Sequence, residues 1–349
     1  MKLTITNFLA RPALYVSLVF AGLTLTNCSN DDDNTPEEFE FEEQFEDIGE
    51  MPELNIEEIT LEEVDLGGVE QSEATANVLS DLEAGGDLSA ETQTNLNTAD
   101  NFAASLSAGV QDEAANLTDA RIDEILAMSS LDGDLAAAAT ALENAPADVL
   151  ALLPAINFSA DFDTATAQTR NGIDLDSKDE FSEAFQEGPC YDAANDAFDA
   201  ALEEPAATLA TQLEEITNYE NDKVSNVNTM KESAETNISE ATATYLAEIA
   251  TASKALLAYA QATDDDARAA ALRNYAVLYL IKGKSDVSKW NSAATALVAQ
   301  RLTENLARIT AQILNLENTA NGNFEQIRTR ALTVLNTALN TCHNQGGGN

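Results

Sequence analysis

The sequence predicts an all-α protein, an elongated helical bundle with long antiparallel helices preceded by an acidic flexible segment. Three observations carry that prediction. From Asp192 onward apolar residues return at threes, fours and sevens, the spacing of long paired helices. Only 15 glycines and 7 prolines punctuate 349 residues, so long elements have few breaks. The charge is divided: 61 acidic against 17 basic side chains give a net charge of -44, and no lysine or arginine lies between Arg11 and Arg121. Residues 31–73 hold 19 carboxylates, whereas 12 of the 17 basic residues fall between Lys223 and Arg330. A field this negative repels nucleic acid, and a hydrophobic content of 44% excludes wholesale disorder.

At the N-terminus, Lys2 and Arg11 flank an apolar run from Ala13 to Leu25, the layout of a secretory signal and too short for a stable span. It ends in Leu25-Thr26-Asn27-Cys28, which resembles the lipobox of bacterial lipoproteins, with Asn27 in place of the usual small residue. The following Ser29-Asn30-Asp31-Asp32-Asp33 resembles the acidic tether of exported lipoproteins of the Bacteroidota. That resemblance implies cleavage after residue 27, lipidation of Cys28, a mature chain of 322 residues, and an outer-membrane location at the cell surface or periplasmic face. Several acyl chains on one cysteine bury enough methylene groups for lasting attachment.

Residues 28–52 read as a self-repelling, extended tether. Phe39, Phe41, Phe45 and Ile48 leave open a second reading, that the stretch docks onto the body or onto a partner. In the run Leu54–Leu66 the pairs 54/56, 59/61 and 64/66 suit a strand, and the intervals 56–59, 61–64 and 54–61 suit a helix. Residues 53–187 form an acidic, alanine-rich helical region with helices expected at 89–107, 111–128 and from Asp134 through 144. Their small apolar side chains bury little area each, which makes this the less stable half.

Residues 188–343 form the long-helix bundle, and 344–349 a flexible tail. Pro205 is expected to kink its first helix. Further helices are predicted at 264–281, 285–319 and 324–341, started by Asp264-Asp265-Asp266 and separated by Lys282-Gly283-Lys284 and Asn321-Gly322-Asn323. Cys190 and Cys342 bracket the bundle, and in an exported protein that placement predicts a disulfide. With those reversals, a single helix over 193–260 would leave the cysteines about 100 Å apart at 1.5 Å per residue. A turn between 218 and 226, among Asn218-Tyr219-Glu220-Asn221-Asp222, closes the gap and is the expected solution.

Candidate sites are few. Asp161, Asp163, Asp174, Asp176, Asp179 and Glu180 alternate as oxygen ligands of a calcium loop do, but Lys178 stands at a ligand position and the EF-hand glycine is missing. A solvated loop is the better reading there, and no other cofactor is indicated. The single histidine, His343, sits beside Cys342 in a terminal tail, and acidic pairs are too common to single out an acid–base couple. Trp290, Tyr259, Tyr275 and Tyr279 read as packing rather than as a sugar platform. The general look resembles helical periplasmic lipoproteins of the imelysin kind, but their Gly-x-His-x-x-Glu hallmark is absent, so no activity follows. The expectation is a non-enzymatic envelope lipoprotein that presents a helical body to an envelope or matrix protein with basic patches. The alternatives are a binder of a small ligand or of calcium, and an enzyme of unknown class.

Overall fold

A computed structural model describes residues 40–85, 87–164 and 188–345, with side chains to Cys342. Two helices dominate: α8 (Pro189–Ala262) and α9 (Asp266–Gln345), antiparallel and joined by a three-residue turn. At 1.5 Å per residue each is about 110–120 Å long. Asp265 starts α9 by accepting from the amides of Ala267 and Arg268, so the acidic cluster caps a helix as its position implies.

Neither long helix turns where the sequence suggested. α8 continues through Pro205 and through residues 218–226, and α9 continues through Gly283 and Gly322. The turn expected at 218–226 therefore does not exist, yet the disulfide does: Cys190 and Cys342 are bonded, with Cα atoms 5.8 Å apart. The turn missing from α8 and the breaks missing from α9 together account for the bond. Cys190 lies 72 residues before the end of α8, and Cys342 lies 76 residues beyond the start of α9, so a single reversal brings them level.

A period of eleven explains why such long helices stay in register. On α8 the buried residues Ala194, Pro205, Ile216, Val227, Ile238, Ile249 and Ala260 recur every eleventh position. On α9 so do Ala276, Val287, Val298, Ile309, Ala320, Ala331 and Cys342. Eleven residues over three turns is 3.67 per turn, close to the natural 3.6, so the seam follows a nearly straight, slightly right-handed path.

Local breakers are overruled by tertiary contact. A Cβ on Gly283 would lie 2.7 Å from Cδ1 of Ile249, so the glycine permits close helix approach instead of ending a helix. Lys284 does cap a carboxyl end, but that of another helix: its Nζ donates to Leu126 O, in the last turn of α5.

The smaller elements gather at the turn end of the hairpin and form a head. They are β1 (Gly68–Glu70), α2 (Glu73–Ala84), α3 (Ala90–Ala103), α4 (Ala108–Ala115), α5 (Asp119–Ala127), α6 (Gly133–Glu143), α7 (Ala147–Leu150) and β2 (Ala155–Asn157). Ser72, Ser89 and Thr118 cap α2, α3 and α5 through their side-chain oxygens. The helix expected over 111–128 is two, because Thr118 starts a new one at Asp119. β1 and β2 pair antiparallel, Val69 opposite Ile156, and make the only sheet among the described residues. The head core includes Ile122, Ile125, Leu142, Leu153, Leu272 and Tyr275, all essentially inaccessible.

Away from the head, the hairpin forms a stalk. Its middle core holds Ile216, Val227, Ile309, Ile313, Leu316 and Ala320. Its base, at the disulfide, holds Ala194, Ala197, Ile327, Ala331 and Ala338 together with Phe41, Phe45 and Ile48. The short helix α1 (Glu42–Phe45) and a following 3-10 turn are therefore docked. The part of the acidic stretch from Phe41 to Met51, read as tether, is docked instead, because its aromatic and apolar side chains find a core at the stalk base.

Candidate functional site

Between α1 and β1 the chain climbs the stalk as a strap with no helix or strand of its own. Arg330 Nη1 donates to Ile48 O at 3.2 Å at the lower end, and Trp290 Nε1 to Leu66 O at 2.7 Å at the upper. Eighteen fully extended residues reach about 60 Å, and the 40 helical residues between those anchors rise about 60 Å. The strap therefore runs largely extended between its two anchors.

Its sequence shows why it fits. Residues 53–67 are three five-residue units, Glu53-Leu-Asn-Ile-Glu57, Glu58-Ile-Thr-Leu-Glu62 and Glu63-Val-Asp-Leu-Gly67. In each unit the second and fourth residues are partly buried against the hairpin, and most of the others are exposed. Five extended residues rise about 16–17 Å, and so do eleven helical residues. One strap unit therefore matches one helical repeat. A five-residue unit flips parity at each repeat, which is why Leu54–Leu66 satisfied neither the period of a strand nor that of a helix. The pairs 54/56, 59/61 and 64/66 were the legible trace of this repeat.

The groove reads the main chain at the same interval. The carbonyl just before the first unit, Pro52 O, accepts from Gln212 Nε2 at 2.9 Å. Glu57 O, which closes that unit, accepts from Tyr219 OH at 3.2 Å and Gln312 Nε2 at 3.4 Å. Glu62 O accepts from Asn305 Nδ2 at 3.0 Å, while Glu62 N donates to Asn305 Oδ1 at 3.1 Å, so the carboxamide pairs with the strap as a neighbouring strand would. Gln212 and Asn305 are buried at 5% and 2% exposure; the strap satisfies both amide atoms of Asn305 and the Nε2 of Gln212, whose Oε1 has no partner among the described residues. Trp290, Arg301 and Gln312 on α9 lie eleven apart, as do Gln212 and Lys223 on α8, and each touches the strap.

Charge supports the same docking. Residues 40–66 carry 12 carboxylates and no basic side chain, α8 carries 13 acidic and 3 basic residues, and α9 carries 5 acidic and 9 basic. Glu58 pairs with Lys223, and Glu62 with both Arg301 and Arg308. The excess cations of α9 thus hold the acidic strap. Glu58 raises the Lys223 pKa above its ordinary value through the hydrogen bond, against a smaller opposing effect of burial.

Where the strap meets the head, it roofs a neck cleft of about 310 Å³ between α8 and α9. Val64, Met230, Ala234, Val298 and Leu302 supply an apolar wall, with Arg301 and Asn305 at its polar side. Arg301 is 12% exposed and surrounded by Glu62, Glu304 and Asp161, and its solvent-sealed Nε has no partner among the described residues.

Of the proposed calcium ligands, Asp161 is placed and otherwise engaged. Its Oδ2 accepts from Asp65 N at 3.0 Å, and its Oδ1 lies 3.6 Å from Arg301 Nη2. The Asp163 side chain, Asp174, Asp176, Asp179 and Glu180 lie outside the described residues, as do the signal segment and Cys28. Among the described residues no group of three or more His, Cys, Asp or Glu side chains could hold a metal, and no helix is long and apolar enough to cross a membrane.

The aromatic residues are structural. Trp290 is 1% exposed and stands edge-on to Tyr245 with ring centroids 5.2 Å apart. Tyr275 is fully buried, and its hydroxyl lies 2.7 Å from Thr75 Oγ1 and donates to Leu152 O at 2.9 Å. Burial pushes the Tyr275 pKa up to about 12, and burial likewise raises that of Tyr279. Both therefore stay neutral at ordinary pH. Lys284 is also buried, which pulls its pKa below the usual lysine value, and Asp286 is pushed up by burial against the pull of Lys282.

No family model matches the chain, and comparison with curated proteins and with solved structures finds no match.

Proposed function

We propose that this protein is a cell-envelope lipoprotein that stands on the outer membrane through lipidated Cys28 and works without catalysis, by holding its head away from the bilayer for a partner to engage. The observation that carries this reading is where the chain enters the fold. Glu40, twelve residues past Cys28, lies next to the docked Phe41 at the disulfide end of the stalk, and the head is at the other end. The head would then stand about 100 Å from the lipid, given the rise of an α-helix. Such a reach suits a partner outside the immediate membrane surface, an envelope or matrix protein with basic patches to answer the charge of -44.

The test is metabolic labelling of the protein in its own host with a clickable fatty acid. Label on the wild-type chain and none on a Cys28→Ala chain is expected, with the variant released from the membrane fraction. Equal membrane association of both chains would sink the anchor. Protection of the head from added protease in intact cells would place it on the periplasmic face, and cleavage on the cell surface.

The neck cleft supports a second reading, binding of a small amphipathic ligand, because it combines an apolar wall with a few polar groups at a volume of about 310 Å³. Filling it with Ala234→Trp should abolish saturable binding of an environment-sensitive dye; unchanged binding would remove this reading. Neither reading invokes a cofactor.

A further inference from the structure

We propose that the stalk groove is a repeat-reading peptide track, and that a second copy of this chain can supply the strap that fills it. The recognition elements belong to the groove. Gln212, Tyr219, Asn305 and Gln312 bind main-chain atoms of the strap, contacts that depend on an extended backbone and not on which chain supplies it. Main-chain bonds from a groove combined with sockets for alternating apolar side chains are the elements of extended-peptide recognition. The sockets here are tuned to a five-residue period, because the helical seam repeats every eleven residues and the two rises coincide.

Specificity then comes from the cations. Lys223, Arg301 and Arg308 are spaced to meet Glu58 and Glu62, carboxylates at opposite ends of one unit. A peptide that fits must repeat an acidic-flanked apolar pair three times in the extended form. The strap of another copy meets that demand by identity, with the same charges, register and sockets. This argues for a second copy over an unrelated partner.

The connection also allows exchange. Strap and head are joined through Gly67-Gly68, and Gly67 is left-handed at φ 54 with Asn157 O 2.0 Å from where a Cβ would stand. A change of backbone angles at Gly67, just before β1, redirects the strap while Gly68 keeps its pairing with Asn157, the hinge that segment exchange between protomers requires. Each exchanged dimer would keep every strap–groove bond of the monomer, so its formation is favoured by concentration and opposed mainly by the lost proximity of a chain to its own groove. The inference does not depend on the lipid anchor.

The experiment mixes two full-length mature chains, one Glu58→Cys and the other Lys223→Cys, refolds them together from denaturant under oxidising conditions, and maps the cross-links by mass spectrometry. A bond between positions 58 and 223 of different chains, in a species of twice the chain mass, is expected. The same two substitutions in one chain provide the geometric control and should close internally on dilution. Closure in that control with no inter-chain bond in the mixture overturns the proposal, as does an inter-chain bond joining only position 58 to position 58. Sedimentation of the unsubstituted chain after refolding at increasing concentration gives an independent reading. A dimer that persists on dilution supports exchange, and a monomer at every concentration refutes it.

Discussion

The head and the stalk use the same two helices and solve different problems with them. In the head α9 is enclosed by α2–α7, and Leu272, Tyr275, Ala276, Val277, Leu278, Tyr279, Leu280 and Ile281 are all at or near zero exposure. In the stalk the same helix has one helical neighbour and one strap, and only every third or fourth residue is buried. A wrapped helix gains burial from every side; a helix in a two-helix rod gains it from one stripe. The stalk compensates with a covalent bond at its base and a third strand-like element along its length. The alanine-rich helices, expected to be the weaker half, pack on the most deeply buried stretch of the molecule. Alanine is small enough to let the short helices come close to α9, and large side chains from both, Ile122, Ile125 and Leu142 with Leu272 and Tyr275, fill the core between them.

The sharpest way to break this contrast is truncation at its most buried point. Trp290→Ala should cost about 3–5 kcal/mol of head stability, from lost burial plus the unmade bond to Leu66 O. Denaturant unfolding followed by near-ultraviolet circular dichroism measures it, and a cost near zero would mean the head core is not the stabilising unit. Next comes the bridge at the other end. Joint replacement of Cys190 and Cys342 by serine should cost about 2–5 kcal/mol, a range typical of a native disulfide closing a long loop. Hydrogen exchange should show lost protection at the stalk base and at Phe41–Ile48, with head amides unchanged. Uniform loss over both regions would erase the distinction.

Two glycines then give the same substitution opposite signs. Gly283→Ala drives a methyl into Ile249 and should destabilise by about 1–3 kcal/mol despite better helix propensity. Gly322→Ala meets nothing within 4 Å in the stalk and should stabilise by up to about 1 kcal/mol. Thermal melts of the pair test both, and equal signs would refute the packing account. The smallest effect concerns pH. The Tyr275 pKa rises from 10 to about 12 on folding, so the unfolded chain gives up its proton first. The stability from this group is complete below pH 10 and is lost as pH rises toward 12. Tyr275→Phe should cost about 1 kcal/mol at neutral pH and flatten that alkaline decline relative to the parent chain.

Much of this architecture is legible in the chain. Long helices follow from the apolar spacing after Asp192, and the bond between Cys190 and Cys342 from their positions bracketing the bundle. What escaped is what depends on contact at a distance. Asn218–Asp222 reads as a turn because those residues favour turns locally, yet Ile216 and Val227 are buried on either side, and Tyr219 bonds to Ile59 N and Glu57 O. Tertiary packing holds the helix where propensity would release it. Lys282-Gly283-Lys284 misleads for the same reason, since its glycine serves Ile249 and its second lysine serves α5. The groove was half legible: the pairs 54/56, 59/61 and 64/66 were visible, but a five-residue period has meaning only beside an eleven-residue one.

The strap has a mechanical side. A chain that runs largely extended between two anchors has little slack to give. A downward pull on Glu40 would therefore run in line through Leu54–Leu66 to β1 and reach the head directly, leaving the hairpin to bear compression. The pairing is that of a mast and its stay. Shear along the groove would load the bonds from Gln212 to Trp290 together, so a load on the disulfide end would be felt at the head before the paired helices part.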